Sequence, residues 1–358
     1  MSDNAHPIRA TAVGDAPVPL SILDLATVST GSTATAALRA SAAVARLADR
    51  RGFARLWVAE HHSMPGIASS SPAVLLAHLA AGTERIRLGS GGVMLPNHAP
   101  LVVAEQFGTL EALAPGRIDL GLGRAPGTDR ATAAALRRQA NPAADDFDEQ
   151  LAELIGFLDD SYPAGHPYAR IHAVPGPVQV PDGHPVSRPP IWLLGSSGYS
   201  AQLSAKLGMP FAFAHHFSAQ NTLPALALYR EHFTPSDDLA APYAVVAASV
   251  VAADTDDEAR RLARTMGLAM LRVRTGTPGL MPTPEEAESY PYSPAEADFI
   301  EAWLSNVIYG GPARVREGVE ELVERTGSDE LMIVSNVHGD ETRLRSTELI
   351  ADAFKLPT

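Results

Sequence analysis

The chain has no cysteine in its 358 residues. Disulfides, thiolate metal centres and thiol nucleophiles are excluded together, and the redox state of the compartment leaves no mark on the sequence. Lysine is nearly absent too: Lys206 and Lys355 are the whole supply, and neither lies in a phosphate-loop pattern. Schiff-base and Walker-type chemistry therefore lack a candidate residue. Positive charge is in deficit overall, with 28 Lys and Arg against 41 Asp and Glu and a formal net charge of −13. Binding a polyanion needs clustered positive charge, so no nucleic-acid partner is expected. No apolar run approaches the roughly 20 residues of a membrane span. The opening MSDNAHPIRATAVGDAP has no basic segment leading into an apolar one, so neither a membrane nor a secretory signal is expected. These absences leave a cytoplasmic enzyme as the expectation.

What is present is a hydrophobic fraction of 46%, enough for a large core. Short β-branched or apolar runs alternate with longer Ala/Leu/Arg stretches of helical period. Strands are predicted at 19–25, 54–60, 85–92, 117–123, 190–195, 210–214, 243–251 and 330–336. Helices are predicted to follow at about 33–51, 71–81, 99–114, 143–160, 197–207, 219–233, 254–272 and 340–355. Eight strand-then-helix units favour an α/β fold closed into a (β/α)8 TIM barrel, with an open doubly wound sheet as the alternative. A single domain is expected over 19–358, preceded by an arm at 1–18. The surplus over a barrel of roughly 250 residues falls in identifiable insertions. A Pro/Gly/His-rich stretch at 161–189 reads as irregular, and the proline- and acid-dense 274–294 reads as a mobile flap, followed by extra helices at 295–305 and 312–326.

Polar residues at the carboxyl ends of barrel strands face the mouth where chemistry occurs. WVAEHHSMPG (57–66) begins as a buried strand and ends in Glu60, His61 and His62, which suits such an edge; capping of the following loop is the alternative. His215 and His216 are expected to end strand six in the same way. Strand neighbours point to opposite faces, so an adjacent pair is poorly placed to chelate one ion, and no HExxH spacing exists; no metal is expected. GRIDLGLGRAPGTD (116–129) places Arg124 past a strand among glycines, where it meets an anion or pairs with Asp129. In IWLLGSSGYSAQLSAKLG (191–208), Gly195, Ser196, Ser197 and Ser200 lead into a helix whose free N–H groups suit a phosphate; a serine that merely caps the helix is the alternative. Gly91 and Gly92 end strand three, permitting close approach of a flat ring or a bulge that eases barrel curvature.

At these residues the sequence resembles the luciferase-like flavin-dependent oxidoreductases, through 57–62, 82–129, 191–208 and 308–322. The resemblance spans roughly 20 to 355 and is densest in the second block. It implies a (β/α)8 barrel that binds FMN, delivered in reduced form by a separate flavin reductase. Reduced FMN and O2 would form a C4a-peroxyflavin that oxygenates a small-molecule substrate. By matching motif, His61 is the implied catalytic base, Arg124 and Ser196, Ser197 and Ser200 the implied phosphate ligands, and Gly91–Gly92 an implied non-prolyl cis peptide against the isoalloxazine. A homodimer is implied by kin. The chain departs from the luciferases at Gly123, where they carry a reactive cysteine, and at Ser196, where they carry an acid; thiol-dependent chemistry is thereby excluded. The alternatives are hydride transfer with deazaflavin F420 on the same barrel and a non-catalytic flavin-binding protein.

Overall fold

The computed structural model describes residues 8–125, 129–136, 146–177 and 186–358. Ten strands form one sheet: β1 (Leu20–Asp24), β2 (Arg55–Val58), β3 (Arg87–Ser90), β4 (Val93–Met94), β5 (Ile118–Gly123), β6 (Ile191–Gly195), β7 (Phe211–Ala214), β8 (Ala244–Ala252), β9 (Ile308–Gly310) and β10 (Glu330–Val334). Eight of them run parallel in the order β10-β1-β2-β3-β5-β6-β7-β8, and pairing of β10 with β8 closes the ring. All eight lie where alternation predicts them, so the barrel replaces the open-sheet alternative.

Boundaries move for local reasons. Strand three stops at Ser90 because the Gly91–Gly92 peptide is cis, and the chain resumes as β4 beside β5, Met94 opposite Gly123. Strand two stops at Val58, two residues short of Glu60. His215 and His216 directly follow the end of β7 at Ala214, but as the opening of a one-turn helix, His215–Ser218. β9 pairs with the far half of β8 and was not foreseen.

The helices cover the outside. Ala34–Arg51 starts at Thr33, whose hydroxyl accepts from the Ala36 amide, and ends at Gly52 in the left-handed region. Outward strand residues such as Leu56, Leu88, Leu120 and Val246 join helix residues such as Val44, Leu76, Phe107 and Leu154 in the main core. Among the described residues no helix is long and apolar enough to cross a membrane.

Inside the ring the packing is different. Trp57 and Trp192 meet edge-to-face with centroids 5.2 Å apart, and Leu23, Val245, Met332 and Val334 complete a small apolar layer. Beneath it, at the amino ends of the strands, lies a fully buried ionic lattice. Arg55 donates Nε and Nη2 to the two oxygens of Glu330 at 2.8 and 2.9 Å, and Nη1 to Asp119 at 2.9 Å. Asp119 also accepts from Arg87 and from the Trp57 indole. Glu330 accepts from Tyr243 and Ser21. Burial works to raise the Asp119 pKa, but Arg87 and Arg55 reverse it and hold the carboxyl at about 2. The arm closes this end: Ile8 is buried, and its carbonyl accepts from Arg55.

The insertions are fastened down. In the described part of 161–189, Tyr162, His166 and Tyr168 pack together on Phe157; residues 178–185 lie outside the described residues. The 274–294 segment, expected as a mobile flap, is held at its centre. Met281 exchanges backbone hydrogen bonds with Val28 and Thr30, and a capped turn follows at Pro284–Ser289, with Arg261 bridging Glu285 and Glu288. The run before Met281, 274–279, is exposed throughout.

Removing one partner from the lattice strands a charge in a dry interior. Arg55→Ala is expected to cost about 3–5 kcal/mol, read as a lowered urea midpoint. An unchanged midpoint would mean that the lattice contributes nothing.

Candidate active site at the barrel mouth

The loop after β2 turns inward because Glu60 is drawn to donors. Its side chain is fully buried and accepts from His62 Nε2 at 2.7 Å, His98 Nε2 at 2.8 Å and the Met94 amide at 3.0 Å. Burial alone would raise the Glu60 pKa. The hydrogen bonds from His98, His62 and Met94 outweigh it, so the carboxyl is held below its ordinary range and is ionised. Both imidazoles therefore donate to it.

His61 takes the opposite course. Its backbone N–H bonds the Ser69 carbonyl, and its Nδ1 is buried with no hydrogen-bond partner among the described residues. Burial, reinforced by the nearby imidazoles of His216 and His62 and opposed by Glu60, pulls its pKa down to about 4. At neutral pH the ring is uncharged.

The second histidine pair divides between layers because a helical turn rotates successive side chains by about 100°. His215 is buried, with Nδ1 2.7 Å from the Thr222 hydroxyl, and burial lowers its pKa to about 4. His216 donates Nδ1–H to the Ala247 carbonyl at 3.0 Å, and burial lowers its pKa as well. His216 thus belongs with His61, and His215 with the helix layer.

The glycines at β3 are required by protein packing. A Cβ on Gly91 would lie 2.6 Å from the Leu23 methyl, and one on Gly92 would lie 2.8 Å from the Gly121 carbonyl oxygen. A Cβ on Gly123 would meet the Met94 sulfur at 2.8 Å, so the thioether fills the space beside that position.

Arg124, at the end of β5, is exposed and lays its guanidinium 4.0 Å over the ring of Tyr199. Tyr199 stands in the first turn of the helix Gly198–Leu207, and its hydroxyl donates to Asp148 at 2.6 Å. Ser197 is the N-cap residue of that helix, yet its side chain makes no capping hydrogen bond. Asp129 spends its carboxylate on the amides of Ala131 and Thr132 and on the Thr132 hydroxyl. Ser200 is buried against Gly195, where a Cβ would come within 2.7 Å of it; Ser196 and Ser197 are more open.

With this geometry in place, comparison with known proteins is decisive. A family model of luciferase-like monooxygenases matches residues 18–330. The chain belongs to this family.

Its relatives include an uncharacterized protein of Bacillus subtilis, YvbT, 49% identical over 94% of this chain and 96% of that one. An Escherichia coli luciferase-like monooxygenase is 46% identical over 94% and 97%. The N-acetyl-S-alkylcysteine monooxygenase of Bacillus subtilis is 35% identical over 94% and 98%. Among solved structures, apo-MsnO8 superposes with a TM-score of 0.83 at 38% identity, covering 95% and 99% of the two chains. Two others share the fold alone. The FMN complex of the oxygenating constituent of 3,6-diketocamphane monooxygenase from Pseudomonas putida has a TM-score of 0.69 at 20% identity, covering 94% and 98%. An F420-dependent secondary alcohol dehydrogenase has a TM-score of 0.65 at 14%, covering 94% and 99%.

Sequence reasoning brought His61, Gly91, Gly92, Arg124 and the 195–200 turn to one end of the barrel. It missed His98, which joins Glu60 from 38 residues away, and Tyr199 as the platform for Arg124. Only the loop composition MLPNHAP hinted at His98, and no spacing rule connects it to Glu60.

The histidines make stability depend on pH. His61 and His215 titrate near 4 when folded and near 6.5 when free, so the unfolded chain takes up their protons first as pH falls. Their stabilisation is complete above about pH 6.5 and is lost progressively towards pH 4. Urea unfolding at pH 7 and pH 5 should show a drop of about 1–2 kcal/mol per histidine, and His215→Gln should flatten that slope.

Proposed function

We propose that this chain is a monooxygenase that takes reduced FMN from a separate flavin reductase and uses O2 to oxygenate a small organic substrate. The observation that carries the reading is Arg124 stacked over the first turn of the helix Gly198–Leu207, whose N-cap side chain leaves the terminal amides uncapped. Helix-terminal N–H groups and a guanidinium fork together suit a phosphate dianion. Arg124, Gly195, Ser196 and Ser197 would hold it, with Ser200 supporting the turn from beneath. The ring system would lie along Gly91 and Gly92. His61, whose Nδ1 is buried without a hydrogen-bond partner among the described residues, would stand beside the ligand as a neutral imidazole.

When bound, reduced FMN supplies the activation of O2. The protein's part is to anchor, to orient and to handle a proton. His61 is uncharged at neutral pH and so is able to accept a proton at a ring nitrogen. Its neighbour Glu60 is fully committed to His62, His98 and Met94 and keeps its charge away from that exchange. Glycine at 123 offers no thiol, so no step runs through one. The N-acetyl-S-alkylcysteine monooxygenase among the relatives makes thioethers the first substrates to try.

The partner expected for the chain is a second copy. The helices Pro72–Ala80 and Pro100–Leu113 pack side by side, and each exposes apolar side chains, Val74 on the first and Val102 and Leu113 on the second. Exposed apolar side chains of this kind are suited to cover by a partner. The double variant Val74→Glu/Leu113→Glu is expected to sediment as a monomer where the parent sediments as a dimer.

Photoreduced FMN, mixed with the chain and a thioether panel and then exposed to 18O2, should place label in one product. Label-free oxidation of an alcohol by F420 in place of FMN would favour hydride transfer instead, and flavin inert to every substrate would favour a binding protein. Arg124→Ala should weaken FMN binding about 10–100-fold, the worth of one charged hydrogen-bonding group. His61→Ala should keep FMN affinity and lose about 10²-fold or more in turnover; equal turnover would remove His61 from the chemistry.

A further inference from the structure

We infer that Glu60, His62 and His98 form a divalent-cation site at the barrel mouth, suited to Zn2+ or a similar transition-metal ion. Their ligand atoms, one carboxylate oxygen and two imidazole nitrogens, all lie within 4.8 Å of one another. Oε1 of Glu60 is 2.7 Å from His62 Nε2 and 2.8 Å from His98 Nε2, so both rings already point the same nitrogen at the same oxygen. Two histidines and one glutamate are a ligand set that leaves a fourth position open for water or substrate.

Three further features favour a site over a chance meeting. The other oxygen of Glu60 accepts the Met94 amide at 3.0 Å, which fixes the carboxylate plane with Oε1 turned towards both imidazoles. The carboxylate is wholly buried while the side chains of His62 and His98 keep 15% and 28% of their surface, so an ion has a way in. The ligands come from two neighbouring loops: Glu60 and His62 follow β2, and His98 follows a single 3-10 turn, Leu95–Asn97, after β4. An ion there would tie the two loops together.

Zinc bonds to such ligands are about 2.0–2.2 Å long, which sets tetrahedral ligand separations of about 3.3 Å. The rings therefore need to withdraw by about half an ångström from their hydrogen-bonded positions, within the reach of loop side chains. Each imidazole would then keep its proton on Nδ1 and offer the Nε2 lone pair, and the two hydrogen bonds to Oε1 would be exchanged for metal bonds. The expectation of no metal rested on the adjacency of His61 and His62 and on the lack of an HExxH spacing; the first argument still excludes the pair, and the second does not reach ligands from separate loops. His98 supplies the second imidazole that the neighbours could not.

The inference does not depend on the flavin reading, and its test contains no flavin. Untagged protein, stripped with chelator, is titrated with ZnCl2 by calorimetry and then scanned for thermal unfolding with and without the ion. One zinc per chain and a raised Tm are expected, because an ion that binds only the folded state stabilises it. His98→Gln and, separately, His62→Gln should each weaken binding at least tenfold and abolish the Tm rise, while the exposed surface variant His232→Gln should change neither. Cobalt(II) should give visible d–d bands that both mouth variants lose. Circular dichroism checks that the variants fold; if one does not, the other carries the same reading. Absence of a stoichiometric zinc, or equal binding in His98→Gln, would overturn the site and leave a hydrogen-bonded cluster alone.

Discussion

The guanidinium of Arg55, held between Glu330 and Asp119 inside a closed ring of strands, is the constraint on which the rest of this molecule is arranged. Through Ser21, Trp57, Arg87 and Tyr243 its partners reach strands on every side of the barrel floor. A buried ion pair is not worth more than well-packed hydrocarbon, and its value lies in specificity. A bidentate Arg–carboxylate contact tolerates little error in angle or distance. Within this barrel that geometry fixes which face of β2, β5 and β10 looks inward, and a one-residue slip of any of them would strand a charge.

Because the ionic lattice occupies the amino ends of the strands, the carboxyl ends are free to carry chemistry, the division of labour that (β/α)8 barrels share. The mouth is electrically quiet by comparison. His61 is held neutral by burial, His216 is pushed the same way, and Glu60 keeps its charge enclosed by donors. Arg124 is an exposed positive charge at the strand end, set on the tyrosine of a helix terminus. A neutral, partly apolar mouth with one cationic rim is an arrangement that anchors a ligand by an anionic end and leaves its remainder in a poorly polar space.

Some of the candidate site was readable because it obeys local rules. Glu60 and His61 interrupt an apolar run, Gly91 and Gly92 end another, and Ser196 and Ser197 precede a helix; each is a short-range departure from pattern, and each lands at the mouth. Arg124 was legible as an anion ligand and equally as a partner for Asp129, and the structure gives Asp129 other work at Ala131 and Thr132. The 274–294 segment read as a flap on composition alone, since proline and acid describe a surface loop and say nothing of the hydrogen bonds that Met281 makes to Val28 and Thr30.

The sequence by itself determined the barrel. Alternation of period two and period 3.6, repeated eight times, is a local property of side-chain direction, and right-handed crossovers leave few ways to assemble it. Only the tertiary structure decided which polar residues inside that pattern serve the floor and which serve the mouth. Arg55, Asp119 and Glu330 look like isolated charges in apolar strands until closure brings them within 3 Å. Glu60 and His98 are 38 residues apart and meet where the loops after β2 and β4 come together. Such contacts depend on distances that strand pairing and ring closure set, and no local pattern in the sequence contains them.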